Sequence, residues 1–96
     1  MSSFPLTIST PEGSMFRGNA ERFVFRAANG DMAVLSGHVP IMTTIRPGNC
    51  RIVLENGETK NAYAENGIVT VSRENVIVLS DSIRWTDDND VKENEK

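Results

Sequence analysis

Apolar residues recur along this chain in short alternating runs, with turn residues between them. Leu6-Thr7-Ile8 alternates apolar and polar. Pro11-Glu12-Gly13 is a turn, and Ser14-Met15-Phe16 returns from it. Over residues 21–27, Phe23 and Phe25 fall on one face of an extended strand, with Arg22, Val24 and Arg26 on the other. Asn29-Gly30 is a two-residue hairpin signal. Two apolar runs follow, 32–35 and 39–45, separated by Ser36-Gly37 and closed by Pro47-Gly48. Residues 50–54 are apolar and rich in β-branched side chains. Asn56-Gly57 turns the chain into 58–64. Residues 68–71 and 76–79 read as strands joined across 72–75, and 83–85 as a last short one. Turn signals this frequent, with no helical period of useful length, predict an all-β sandwich or barrel.

Length permits one small domain, since the chain has 96 residues. The domain is expected over 1–86. Hydrophobic residues make up 39% and charged residues 24%, ordinary values for a globular chain. No stretch approaches the roughly 20 apolar residues that span a bilayer, so direct membrane insertion is not expected. The opening Met1-Ser2-Ser3-Phe4-Pro5 has no basic region or long apolar core and does not read as a signal peptide. Cys50 is the single cysteine, so it has no internal disulfide partner, which fits a reducing compartment.

Charge changes the picture at one place. The chain has 13 acidic and 10 basic residues, net −3. Residues 87–96 hold Asp87, Asp88, Asp90, Glu93 and Glu95 against Lys92 and Lys96, also −3. The remainder, 1–86, has 8 acids and 8 bases and is neutral. Nothing here resembles the basic field that a phosphate backbone demands, which argues against a nucleic-acid partner. The tail Asp87 to Lys96 has one apolar residue, Val91, and is expected to be a solvated, disordered acidic segment.

Candidate chemistry is sparse. His38 is the only histidine. A lone imidazole without a Cys or His neighbour makes no metal site, and S-G-H on a turn is not a hydrolase motif. Neither a carboxylate pair for acid–base work nor a glycine-rich phosphate loop with its lysine is evident. No catalytic residue, metal or cofactor is therefore expected. Cys50 reads as a buried small hydrophobe. Asp31, at the tip of an N-G-D turn, is plain turn chemistry on its own residues. Val39-Pro40-Ile41-Met42 is either half of a small core or a patch left exposed for a partner. Met32 and Met42 suit an irregular docking surface, because thioethers adapt to it.

The run G-D-M-A-V-L-S-G-H-V-P-I-M-T-T-I-R-P-G at 30–48 resembles the signature of the epsilon subunit of rotary F-type ATP synthases, called delta in mitochondria. L-T-I-S-T-P-E-G-S-M-F-R-G at 6–18 resembles that family's opening strand pair. N-G-I-V-T-V-S-R-E-N-V-I-V-L-S-D-S at 66–82 resembles its closing strands. The three pieces lie in one order over 6–83. The resemblance implies a flattened β-sandwich of about ten strands. It implies a non-catalytic central-stalk (rotor) subunit that links the gamma shaft to the c-subunit ring, coupling proton or sodium flow to ATP synthesis. By resemblance, Asp31 faces a basic side chain on the polar loop of the ring. His38, Val39, Pro40, Ile41, Met42 and Met32 belong to the partner surface. The expected location is peripheral, on the cytoplasmic face of a membrane.

Most members of that family continue into a pair of C-terminal helices that can inhibit ATP hydrolysis and in some cases bind ATP. These residues stop before them. If the 96 residues are the whole natural chain, helix-arm inhibition is not expected. If they are a piece of a longer one, it stays open. A second class of function, a free-standing β-sandwich module for a ligand such as carbohydrate, would need a row of exposed aromatics. Six aromatic residues in total, several at core-like positions, speak against it.

Overall fold

Alternation of apolar and polar residues is the local cause of most regular elements, while 68–71 and 76–79 are nearly continuous apolar runs. The computed structural model describes residues 3–37 and 39–86. It contains β1 (Phe4–Thr10), β2 (Gly13–Ala27), β3 (Gly30–Leu35), β4 (Ile41–Ile45), β5 (Gly48–Leu54), β6 (Thr59–Ala64), β7 (Gly67–Val71), β8 (Val76–Ser80) and β9 (Ile83–Thr86). No helix occurs among the described residues. His38 and the acidic segment 87–96 lie outside them, so the expectations for both fall outside the described structure.

All nine strands join in one hydrogen-bonded sheet of order β4-β7-β8-β1-β2-β5-β6-β9, with β3 paired on β2. The long β2 makes one sheet serve as two layers. Its first part pairs with β1, from Gly13 to Ala20, and its second part pairs with β3, from Arg22 to Ala27. The register to β5 shifts between Ala20 and Arg22, leaving Glu21 as the extra residue. A bulge of this kind bends a strand and increases its twist. The first layer is β4, β7, β8, β1 and the start of β2. The second is the end of β2 with β3, β5, β6 and β9. The β1–β8 pair is parallel, and the other pairs are antiparallel.

The core lies between the layers. Leu6, Ile8, Val69 and Val78 enter from the first, and Phe23, Phe25, Val34 and Ile52 from the second, all buried. Phe23 and Phe25, two residues apart on β2, stack with ring centroids 5.2 Å apart. Such a pair contributes about 0.5–1.5 kcal/mol beyond its buried area. The faces read for residues 21–27 are those observed.

The expected strands 14–16 and 21–27 are one strand, which brings about ten down to nine. Arg17-Gly18-Asn19-Ala20 reads as a break because it is polar and contains glycine. In the fold Arg17 and Asn19 simply point outward, opposite Thr7 and Pro5. Gly18 stands where the Phe16 ring folds over the backbone, so a Cβ there would lie 3.2 Å from Phe16 Cζ. The hairpin after β2 is also shifted by one residue. Ala27 pairs with Gly30, so the loop is Ala28-Asn29, and Gly30 carries the positive φ of 121°. A type I′ Asn-Gly turn would need positive φ at Asn29 as well, and Asn29 does not have it.

At the far corner of the sandwich, backbone comes unusually close to backbone. Gly67 on β7 is paired with Ser80 on β8. A Cβ on Gly67 would run into the Leu79 carbonyl oxygen and lie 2.8 Å from Ser80 Cα. Ser80 is a buried polar residue whose hydroxyl sits 3.0 Å from Ser82 O and 3.1 Å from Glu65 O. It ties the β6–β7 connection to the β8–β9 connection, helped by Glu65 N–H donating to Ser82 O at 2.9 Å and Asp81 N–H to Asn66 O at 2.9 Å.

Candidate functional site

The run 31–42, contiguous in sequence, is divided by the fold. Asp31 lies at the start of β3, beside the Ala28-Asn29 loop and near Arg46 and Pro47. Val39 and Pro40 lie past the other end of β3, in a groove shared with Phe4, Leu35, Arg73 and Val76. Four strand steps separate Asp31 from Leu35, roughly 13 Å at the usual rise. Asp31 and the 39–40 turn therefore sit at opposite ends of the second layer. Met32 turns inward and packs against the core opposite Phe25. Ile41 likewise packs against the core, opposite Val71. Pro40 lies outside β4, where its missing N–H costs no ladder bond. Met42 is 71% exposed on the outer side of β4.

Asp31 is directly opposite Arg26 in register, and Arg26 Nε lies 3.5 Å from Asp31 Oδ1. Both side chains are well exposed, so the pair contributes well under about 1 kcal/mol to the fold. Its geometry matters more than its energy. The Arg46 N–H donates to Arg26 O at 2.8 Å, and Gly48 leaves room for the Arg26 stem, 3.2 Å from where a Cβ would be. Asp31 is thus presented on a fixed corner with two arginines beside it.

Met42 belongs to a surface that the sequence did not flag. Register places Thr70 and then Ile77 beside Met42, and Ile68 and Leu79 beside Thr44. Opposed residues share a face. The outer side of β4, β7 and β8 therefore carries Met42, Ile68, Ile77 and Leu79, all exposed, among threonines. No charged residue lies on that side of these three strands. A contiguous apolar patch of this kind marks a binding surface. A signal was present: residues 68–71 and 76–79 are apolar at both strand parities, which one buried face cannot use up.

The outer side of the second layer has the opposite character. Arg22 and Arg26 on β2, Arg51 on β5 and Arg84 on β9 all point outward and are exposed. Arg84 lies over the Tyr63 ring, 5.8 Å from its centroid. Trp85 stands on the edge strand β9, with Lys60 Nζ 5.5 Å from its ring centroid.

Cys50 is 5% exposed on β5, and burial pushes its thiol from 9.0 up to about 11. The folded state holds it as the neutral thiol. Its stabilising effect is therefore complete below the unfolded value and is lost as pH rises through about 11. Unfolding free energy should fall by roughly 2–3 kcal/mol across that window, at 1.36 kcal/mol per unit. A Cys50→Ala variant should lack this slope. Chemical denaturation from pH 8.5 upward checks it, and identical slopes in both proteins would refute the assignment.

Among the described residues there is no group of three or more His, Cys, Asp or Glu able to hold a metal ion. Among the described residues no helix is long and apolar enough to cross a membrane. What the fold presents is a rigid sandwich with an apolar patch on β4, β7 and β8, an arginine-bearing outer side on the second layer, and a corner where Asp31 stands beside Arg26 and Arg46. Residues 3–86 match the family model described as ATP synthase, Delta/Epsilon chain, beta-sandwich domain, and the chain belongs to that family.

Relatives agree. The ATP synthase epsilon chain of Chromohalobacter salexigens is 35% identical over 82 residues, covering 85% of this chain and 58% of that protein. That of Ruminococcus albus is 34% identical, covering 100% of this chain and 72% of the relative. A sodium-ion-specific epsilon chain from Acetobacterium woodii is 32% identical over 94% of this chain and 68% of its own length. This chain thus spans some 58–72% of the length of these relatives. Among solved structures, a chain of the Euglena gracilis mitochondrial ATP synthase OSCP/F1/c-ring assembly superposes with a TM-score of 0.83. It is 17% identical, and the match covers 98% of this chain and 62% of that one, a likeness of fold.

Proposed function

We propose that this domain is a non-catalytic rotor part of an F-type ATP synthase, seated between the gamma shaft and the c-subunit ring. The observation that carries the proposal is the uncharged patch of Met42, Ile68, Ile77 and Leu79 across β4, β7 and β8, on a sandwich whose second layer carries charge on its outer side. In this reading the apolar face packs on gamma. The Asp31 corner, at the end of the second layer remote from Val39 and Pro40, meets the polar loops of the ring. Family membership supports it. So does the presence of the c ring in the assemblies from Euglena gracilis and Tetrahymena thermophila that contain chains of this fold.

The mechanism is mechanical. A close-packed β core has low compressibility and transmits torque without yielding. Apolar burial on the shaft supplies affinity, and the polar corner fixes orientation on the ring. Together they would keep the shaft from slipping, so that proton or sodium flow drives ATP synthesis. Asp31→Arg tests the ring contact. The side chain is exposed and its pair with Arg26 weak, so the sandwich should melt within a few degrees of the parent. Yield of the ring-containing complex at low salt should drop severalfold. An unchanged yield would remove Asp31 from the contact.

A further inference from the structure

Charges in this domain are sorted by position. Of the eight acids within 1–86, Glu12, Glu55, Glu58, Glu65, Glu74 and Asp81 lie in the connections between strands. Glu21 occupies the β2 bulge, and Asp31 alone stands on the outer side of the second layer. That side carries Arg22, Arg26, Arg51 and Arg84, so four positive charges against one negative leave it at +3. Only Arg26 has an ion-pair partner among the described residues. Register also gives three of these arginines a spacing. Arg51 on β5 lies opposite Val24 on β2, halfway between Arg22 and Arg26. Along the strands the order is therefore Arg22, Arg51, Arg26, each one two-residue step of about 6.6–6.8 Å from the next. They alternate across the seam between two neighbouring strands, with Val24 among them.

We propose that this seam is a docking surface for an acidic segment of a partner protein, lying extended along β2 and β5. An extended chain repeats side chains on one face at the same two-residue interval. Carboxylates at alternate positions would therefore meet Arg22, Arg51 and Arg26 in turn. Each guanidinium is a planar, permanently charged fork that holds a carboxylate by two parallel hydrogen bonds. Arg84, over Tyr63 on the same side, adds to the attracting field without entering the seam. Asp31, beside Arg26 on β3, repels a carboxylate that slides that way and confines the segment to the β5 side. A membrane surface fits less well, because its headgroups have no fixed interval. Among the described residues Leu35 is the one large apolar side chain exposed on this side, too little to anchor in acyl chains. Exposed ion pairs are individually weak and screened by salt, so the contact steers and orients a partner more than it anchors one. Met42, Ile68, Ile77 and Leu79 lie on the outer side of the other layer, so both surfaces can be occupied together. The inference does not depend on the rotor assignment.

The test titrates the 96-residue chain, followed by its amide signals, with a synthetic peptide of about eight residues in which glutamate alternates with threonine. At about 0.01 M salt, where the screening length is about 30 Å, shifts should concentrate on β2 and β5 around Arg22, Arg26 and Arg51. They should spare β4, β7 and β8. At about 1 M salt, where the length is about 3 Å, affinity should fall severalfold. Arg22→Gln with Arg51→Gln changes two exposed side chains and should weaken binding as much at low salt, with the fold intact. A peptide of the same composition with its glutamates in one block should bind severalfold more weakly than the alternating one. Absence of binding at low salt, shifts spread equally over both sides, undiminished binding by the double variant, or equal affinity for the two peptides overturns the proposal. So does capture of the chain by vesicles containing phosphatidylserine when the peptide does not bind.

Discussion

Met42→Glu combined with Leu79→Glu is expected to abolish binding to gamma while leaving the sandwich folded. Both side chains are largely exposed, at 71% and 54%, and neither belongs to the core. They stand on β4 and β8 with β7 between them, so the new carboxylates are not directly opposed. Surface changes of this kind usually shift stability by no more than about 0.5 kcal/mol each. At an interface the sign and size differ. Two carboxylates buried against an apolar shaft without partners cost several kcal/mol, and about 2.7 kcal/mol already weakens binding a hundredfold. Complex formation with gamma should be lost at micromolar concentrations. Arg51→Glu, on the opposite face, should bind as the parent does. Retained binding by a well-folded double variant would remove this face from the interface.

Gly67→Ala is expected to be among the most damaging single changes to the fold. The added methyl meets the Leu79 carbonyl and Ser80 Cα, both backbone, so no side chain can swing aside. The β7–β8 ladder must part, and the Ser80 hydroxyl would lose its carbonyl cluster. Overpacking of this kind costs about 3 kcal/mol or more, from a total near 5–15 kcal/mol for a domain of this size. The melting temperature should fall by roughly 10–20 °C. Gly57→Ala is the control. Its φ is 91°, but the space around it is open, so only backbone strain of about 1–2 kcal/mol applies. Equal melting of the two variants would contradict the close-approach account.

Most strands were legible because one face of each is buried and the alternation survives in the sequence. Leu6-Thr7-Ile8 and Phe23 with Phe25 are plain cases, and both lie in the core. The corner in β2 was not legible, since Arg17-Gly18-Asn19-Ala20 looks like a turn until Phe16 is seen folding over Gly18. The parallel β1–β8 pair was equally hidden, because it joins residues about 70 apart with no local turn chemistry to announce it. Within the candidate site, Asp31 and Val39-Pro40 looked like one surface because they are neighbours in sequence. A strand between two such residues carries them to opposite ends of a layer. The apolar face was missed for the converse reason. Met42, Ile68, Ile77 and Leu79 come from three separate strands and meet only through register.

Co-expression of this chain with the gamma subunit from the same source, followed by size-exclusion chromatography, tests the central claim most directly. The rotor account predicts a stable one-to-one complex that elutes ahead of either protein and withstands high salt, because apolar burial rather than charge holds it. Two folded proteins eluting separately at micromolar concentration would contradict it.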